Sequence, residues 1–154
     1  MENPKDIEIL LKFCEEHYTW CRHTEEQRST MTNLIISITG ALLAFVAFLG
    51  FTINALPIAI FLVILGIYGV IMILKFHERF RLHLELAGQW ANRIDELCPN
   101  AELNLRSKKA YKKHGKKYNK LKKIKLYRFW VFIHVLISLM GVGLIIIILL
   151  NTIP

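Results

Sequence analysis

The chain has 154 residues, of which 54% are hydrophobic and 21% charged, with 20 Lys and Arg against 12 Asp and Glu. The apolar and charged residues fall into separate blocks, a pattern that excludes an ordinary soluble domain. The net charge of +8 favours anionic partners, whether lipid, nucleotide or nucleic acid.

The first predicted element is an amphipathic helix over residues 4–30. Ile7, Leu11, Cys14, Tyr18 and Cys21 recur in steps of four and three, the pattern of a packing seam, and Leu10, Phe13 and Trp20 widen it. Seven acids against four bases in residues 1–31 argue against a helix lying on an anionic membrane. So wide an apolar face calls for a partner helix, from the same chain or another.

Three uncharged or nearly uncharged stretches follow. Leu34 to Ile53 spans 20 residues and Ile58 to Leu74 spans 17, both without charge; Phe129 to Leu150 spans 22, with His134 its only ionisable group. About 20 apolar residues cross the roughly 30 Å of bilayer hydrocarbon as a helix. The predicted fold is therefore an all-α membrane protein with three transmembrane helices and cytoplasmic amphipathic helices. The first stretch begins too far into the chain, after too acidic a leader, to read as a signal peptide. Asn54, Ala55, Leu56 and Pro57 read as the turn of a helical hairpin, because Asn and Pro favour turns and Pro at a helix start forfeits no hydrogen bond.

After Leu74 no Gly-Pro punctuation intervenes, and the second helix is expected to run on to about residue 98. Phe76, Phe80, His83, Ala87, Trp90, Ile94 and Leu97 continue a three–four seam, stopped by Pro99-Asn100. This seam is expected to pack on that of the first helix, with Leu11, Tyr18, Phe80 and Trp90 in the contact. Residues 106–128 then carry twelve Lys and Arg and no acid, and Gly115 is read as a possible break between two helices. The organisation expected is a cytoplasmic helix at 1–31, a membrane hairpin at 32–75, a basic cytoplasmic segment at 76–128, and a third span with a short external tail at 129–154.

Topology follows from the basic residues. Four lie in residues 1–31, sixteen in 75–128, and none in the 54–57 turn or in 151–154. The positive-inside rule places the N-terminus and the long loop in the cytoplasm, and the hairpin tip and C-terminus outside, which suits a multi-pass protein of the inner membrane. Cys14, Cys21 and Cys98 then sit on the reducing side and are expected as free thiols.

The basic run has two readings. It is a topogenic block that touches anionic lipid, or a site for a nucleotide or oligonucleotide, since Tyr111, His114, Tyr118 and Tyr127 interleave with the cations and could stack on bases. Lys112, Lys113, Lys116, Lys117 and Lys120 are the candidate phosphate contacts in either case. Cys14, His17 and Cys21 share a helix face with His23 nearby, but the spacing fits no compact zinc knuckle; a packed seam is the better reading and no metal or cofactor is assigned. Arg128 and His134 have the Arg-x(4–6)-His spacing of HEPN-type ribonucleases, yet His134 lies inside a span that RNA does not reach. His77, Arg79, Arg81 and His83 have no complementary acids. With no phosphate loop, nucleophile elbow or metalloprotease motif, the chain is not expected to be an enzyme and no catalytic residue is named.

Within the spans, Ser37, Gly40, Ala44 and Ala47 form a small-residue stripe on the first helix, suited to close helix packing. His134, Ser138 and Gly141 share a face of the third. Polar groups at that depth face a bundle interior or a water-filled path. Ser37, His134 and Ser138 are therefore the candidate pore-lining residues, with helix packing as the competing reading. Three helices enclose no wide pore, so a channel requires a homo-oligomer.

The hairpin at 34–74 with its turn at Asn54–Pro57, followed by the aromatic and basic helix from Lys75 to Trp90, resembles the SLATT family of small bacterial membrane effectors. The likeness is architectural, covers residues 5–98 at most, and does not extend to the third span, which is more similar to the channel-type effector of the Hailong defence system. The resemblance implies an oligomeric pore of antiviral defence, acting by abortive infection and gated by a nucleotide or oligonucleotide signal. The alternative is a membrane anchor or adaptor that holds a soluble signalling partner through its cytoplasmic helices.

Overall fold

A computed structural model describes residues 4–152, and these are almost entirely helical, with no strand among them. Helix α1 runs Pro4–Leu49, α2 Leu56–Leu97, α3 Leu103–Lys117 and α4 Leu126–Thr152, with single 3₁₀ turns at Ile53–Ala55, Pro99–Ala101 and Leu121–Lys123. Helices α1, α2 and α4 are each long and apolar enough to cross a membrane. Of the tail expected at 151–154, Asn151 and Thr152 belong to α4; Ile153 and Pro154 lie outside the described residues.

The helix ends follow from local chemistry and correct the expected boundaries. Helix α1 stops at Leu49, four residues before the apolar stretch does, because Gly50 takes φ +69°, the left-handed conformation that closes a helix. The turn is therefore Gly50–Ala55, and Leu56 and Pro57 already belong to α2. At the other end of α2, Pro99 offers no N–H to extend the helix. The Asp95 carboxylate then caps α3, accepting from the Leu103 N–H at 2.6 Å and the Asn104 N–H at 3.2 Å. Gly115 does not divide the basic segment: α3 passes through it and ends at Lys117.

The chain forms two compact units. One comprises Glu26–Phe76 with the segment from Leu126 onward; the other comprises the residues up to Glu25 with His77–Lys125. On α1 the division falls six residues before the polar-to-apolar change at 31/32, and Arg28, which lies between the two, is buried.

In the membrane unit α1 and α4 run parallel to each other and antiparallel to α2. Ile35, Leu62, Leu65 and Ile137 form one buried cluster, and Val46, Ala55, Ala59 and Ile148 form the next along the helices. Glycine decides how closely α2 and α4 approach. A Cβ on Gly66 would lie 2.5 Å from the Ser138 backbone nitrogen and 2.8 Å from the His134 carbonyl oxygen. One on Gly141 would lie 2.8 Å from the Val63 nitrogen and 2.9 Å from the Ala59 oxygen. The two backbones touch because neither glycine carries a side chain, the device that replaces the hydrophobic effect inside lipid.

In the polar unit the first part of α1 packs antiparallel on the end of α2. Phe13 meets Trp90 with ring centroids 5.7 Å apart, and the Cys14 and Cys21 thiols reach the Ala87 and Phe80 carbonyl oxygens, each at 3.7 Å. Helix α3 buries no residue.

Candidate functional site

The inner face of α1 carries Ile7, Leu10, Cys14, His17, Cys21 and Thr24 in the polar unit. Phe80 and Trp90 are half-buried on the α2 side of this contact. Leu11 and Tyr18 are not part of it: they are 52% and 43% exposed, and their predecessors Leu10 and His17 take the inward positions. One residue is a turn of about 100° on a helix, and the broad apolar stripe admitted either register; the partner's shape selected this one.

The Cys14–His17–Cys21–His23 face does not close into a metal set. Both thiols are engaged by backbone carbonyls, and burial pushes both up from their ordinary value, with Glu25 adding to the effect at Cys21. Instead His17 meets His83, Nδ1 to Nδ1 at 3.1 Å. The Trp20 indole stacks on His83 with centroids 5.6 Å apart and planes 11° from parallel, and His23 meets the edge of the same indole. Burial lowers the His83 pKa from its ordinary value, His17 and Arg79 lower it further, and Glu16 partly offsets them.

Lys112, Lys113, Lys116 and Lys117 all stand exposed on α3, with Lys120 exposed just beyond it. Ser107, Ala110, Tyr111 and His114 line a shallow groove on the same helix. Tyr111 is 75% exposed, the His114 and Tyr118 rings are 4.8 Å apart, and the Lys117 Nζ lies 5.2 Å from the Tyr118 ring centre. Exposed cations and aromatic faces on one helix can attract phosphate and stack on a planar ring.

The three candidate pore residues are not brought together. His134 is fully buried inside the membrane unit, where its ring lies against Gly69; a Cβ on Gly69 would run into the imidazole. Neither ring nitrogen has a hydrogen-bond partner, and the same is true of the buried Thr32 and Thr39 hydroxyls on α1. Ser138 is half-buried and its hydroxyl is 3.4 Å from the Val63 carbonyl oxygen. Both α4 residues thus face the helix packing of the single chain. Ser37 alone is exposed, its hydroxyl donating to the Asn33 carbonyl at 2.9 Å. The spacing that identifies the inward set is present on α2 as well: Ala59, Gly66 and Gly69 lie seven and three residues apart, opposite His134, Ser138 and Gly141.

The stripe containing Ser37 takes part in no contact of this kind. Asn33, Ser37, Gly40, Ala44 and Ala47 all point outward, and a Cβ on Gly40 would meet nothing within 4 Å. No protein family, curated protein or solved structure matches the chain.

Proposed function

We propose that the chain is a small membrane effector that assembles into an oligomeric ion channel or pore, gated by an anionic signal at its basic helix. The observation that carries this reading is the outward stripe of α1. Asn33 and Ser37, continued by Gly40, Ala44 and Ala47, present a polar and then a small-residue face that α2 and α4 leave uncovered. Small residues let backbones of neighbouring helices approach, and polar groups at membrane depth favour a protein or water-lined surface over lipid. In this reading copies associate through α1, and Asn33 and Ser37 line one end of the passage. The N-terminus and α3 face the cytoplasm by the positive-inside rule. The lysines Lys112, Lys113, Lys116, Lys117 and Lys120 receive a nucleotide or oligonucleotide signal, and the likeness to SLATT-type antiviral effectors supports the same assignment.

A signal gates only as far as it binds open and closed states differently. The test is reconstitution of the purified chain in liposomes, with single-channel current recorded with and without short oligonucleotides. Discrete conductance steps are expected, shifted by the oligonucleotide. Changing the five lysines to glutamine should weaken that shift and leave unregulated conductance in place. Equal loss of both would remove the lysines' assigned role.

A second reading is favoured by a different surface. Leu11 and Tyr18, seven residues apart on one side of α1, are large and exposed, as an adaptor that holds a soluble partner would require. Silent bilayers carrying verified, oriented protein, together with a pull-down that depends on Leu11 and Tyr18, would establish the adaptor instead.

A further inference from the structure

Within the polar unit, α1 and α2 bring two imidazoles together nitrogen to nitrogen. His17 Nδ1 and His83 Nδ1 are 3.1 Å apart, and both rings are half-buried. In the absence of a cation this is a hydrogen bond only if one ring carries its proton on Nδ1 and the other is neutral with a lone pair there. The same spacing is that of a chelate. Two metal–nitrogen bonds of about 2.0–2.1 Å place their nitrogens about 3.3 Å apart at a tetrahedral angle and about 2.9 Å apart at a right angle. The observed distance lies between these, so the separation of the two nitrogens is that of a chelate.

We infer that His17 and His83 form a two-imidazole clamp for a divalent late transition-metal cation, joining α1 to α2 in the polar unit. The surroundings favour nitrogen ligation over the thiol set that the α1 sequence offers. Cys14 and Cys21 are engaged by the Ala87 and Phe80 carbonyls. Glu16 supplies negative potential at His83, and Arg79 on α2 opposes it. The Trp20 ring covers one face of the His83 imidazole and fixes its plane. Among the described residues no group of three His, Cys, Asp or Glu side chains could hold an ion. The clamp therefore supplies two ligands, solvent fills the remaining positions, and the ion exchanges readily. Two imidazoles select Cu²⁺ over Ni²⁺ and Zn²⁺, and exclude Mg²⁺ and Ca²⁺, which require oxygen ligands.

Calorimetric titration of the full-length chain in detergent with Cu²⁺, Ni²⁺, Zn²⁺ and Mg²⁺ tests this. One saturable site per chain is expected for the first three ions and none for Mg²⁺. His17→Gln and His83→Gln should each weaken binding more than about tenfold, since even outer-shell changes cost that much, whereas His23→Gln and His114→Gln leave it unchanged. X-ray absorption of the Zn²⁺-loaded wild-type chain gives a reading independent of how the variants fold. A nitrogen–oxygen shell with two imidazoles supports the clamp. Sulfur in the shell, unchanged affinity in both His17→Gln and His83→Gln, or no saturable uptake of any of the three ions overturns it.

Discussion

The membrane unit and the polar unit join helices by opposite means. Between α2 and α4 in the membrane unit, contact rests on side chains that are missing: Gly66 and Gly141 admit the partner's backbone, and Gly69 admits an imidazole. Between α1 and α2 in the polar unit, contact rests on side chains that titrate or polarise: His17 on His83, Trp20 on His83, thiols on carbonyls. Lipid gives no hydrophobic gain for bringing helices together, so the membrane unit depends on close van der Waals fit. The polar unit instead uses groups whose charge can change with conditions.

The largest effect expected is at the glycines. Gly66→Ala and Gly141→Ala each place a methyl group against backbone, and should destabilise the chain by about 2–3 kcal/mol, measured by unfolding in detergent. Gly40→Ala meets open space and should leave the unfolding of a single chain within about 0.5 kcal/mol of wild type. Equal effects at positions 40 and 66 would break the contrast between inward and outward glycines.

Next comes His134. Its two partnerless nitrogens are a cost that an apolar side chain of similar size removes, so His134→Leu should be neutral or stabilising by about 1 kcal/mol. His134→Ala should lose about 2 kcal/mol through the cavity it leaves. A marked loss in His134→Leu would mean that the imidazole has a polar task in the bundle.

In the polar unit the register of α1 predicts a smaller contrast. Leu10→Ala should cost about 1 kcal/mol, and Leu11→Ala less than about 0.5 kcal/mol, in the same unfolding measurement.

The smallest effect is the pH response. The His83 pKa is depressed in the folded chain, so the unfolded chain binds the proton first as pH falls. The contribution is constant above the ordinary histidine value of 6.5, and stability declines as pH drops below it, until His83 itself protonates in the folded state. Hydrogen exchange of residues 80–90 should rise across that window in wild type and change less in His17→Gln.

What was legible in the sequence follows the same division. Length and apolarity alone predict the three long helices, because the thickness of a bilayer sets the count. The end of α1 was hidden because apolar composition continues to Ile53, while the chain turns on the single conformational freedom of Gly50. On α1 the seam residues Ile7, Cys14 and Cys21 are inward as the spacing predicts, while Leu10 and His17 take the places of their neighbours Leu11 and Tyr18, a choice that only the surface of α2 makes. His134 admitted both a pore-facing and a packing reading; only the glycines opposite it on α2, distant in sequence, seat its ring in the packing of the single chain. The pairing of His17 with His83 joins residues 66 apart in sequence, and no local spacing announces it.

In the proposed channel, copies meet through the outward face of α1 and conduct along it. Cysteine accessibility in conducting proteoliposomes tests it most directly, using a charged, water-soluble thiol reagent on Asn33→Cys, Ser37→Cys and Ser138→Cys. The account predicts discrete currents that the reagent blocks at positions 33 and 37 and leaves untouched at 138, the interior position. Block at 138 with none at 33 or 37, or bilayers that stay silent with oriented protein present, would contradict it.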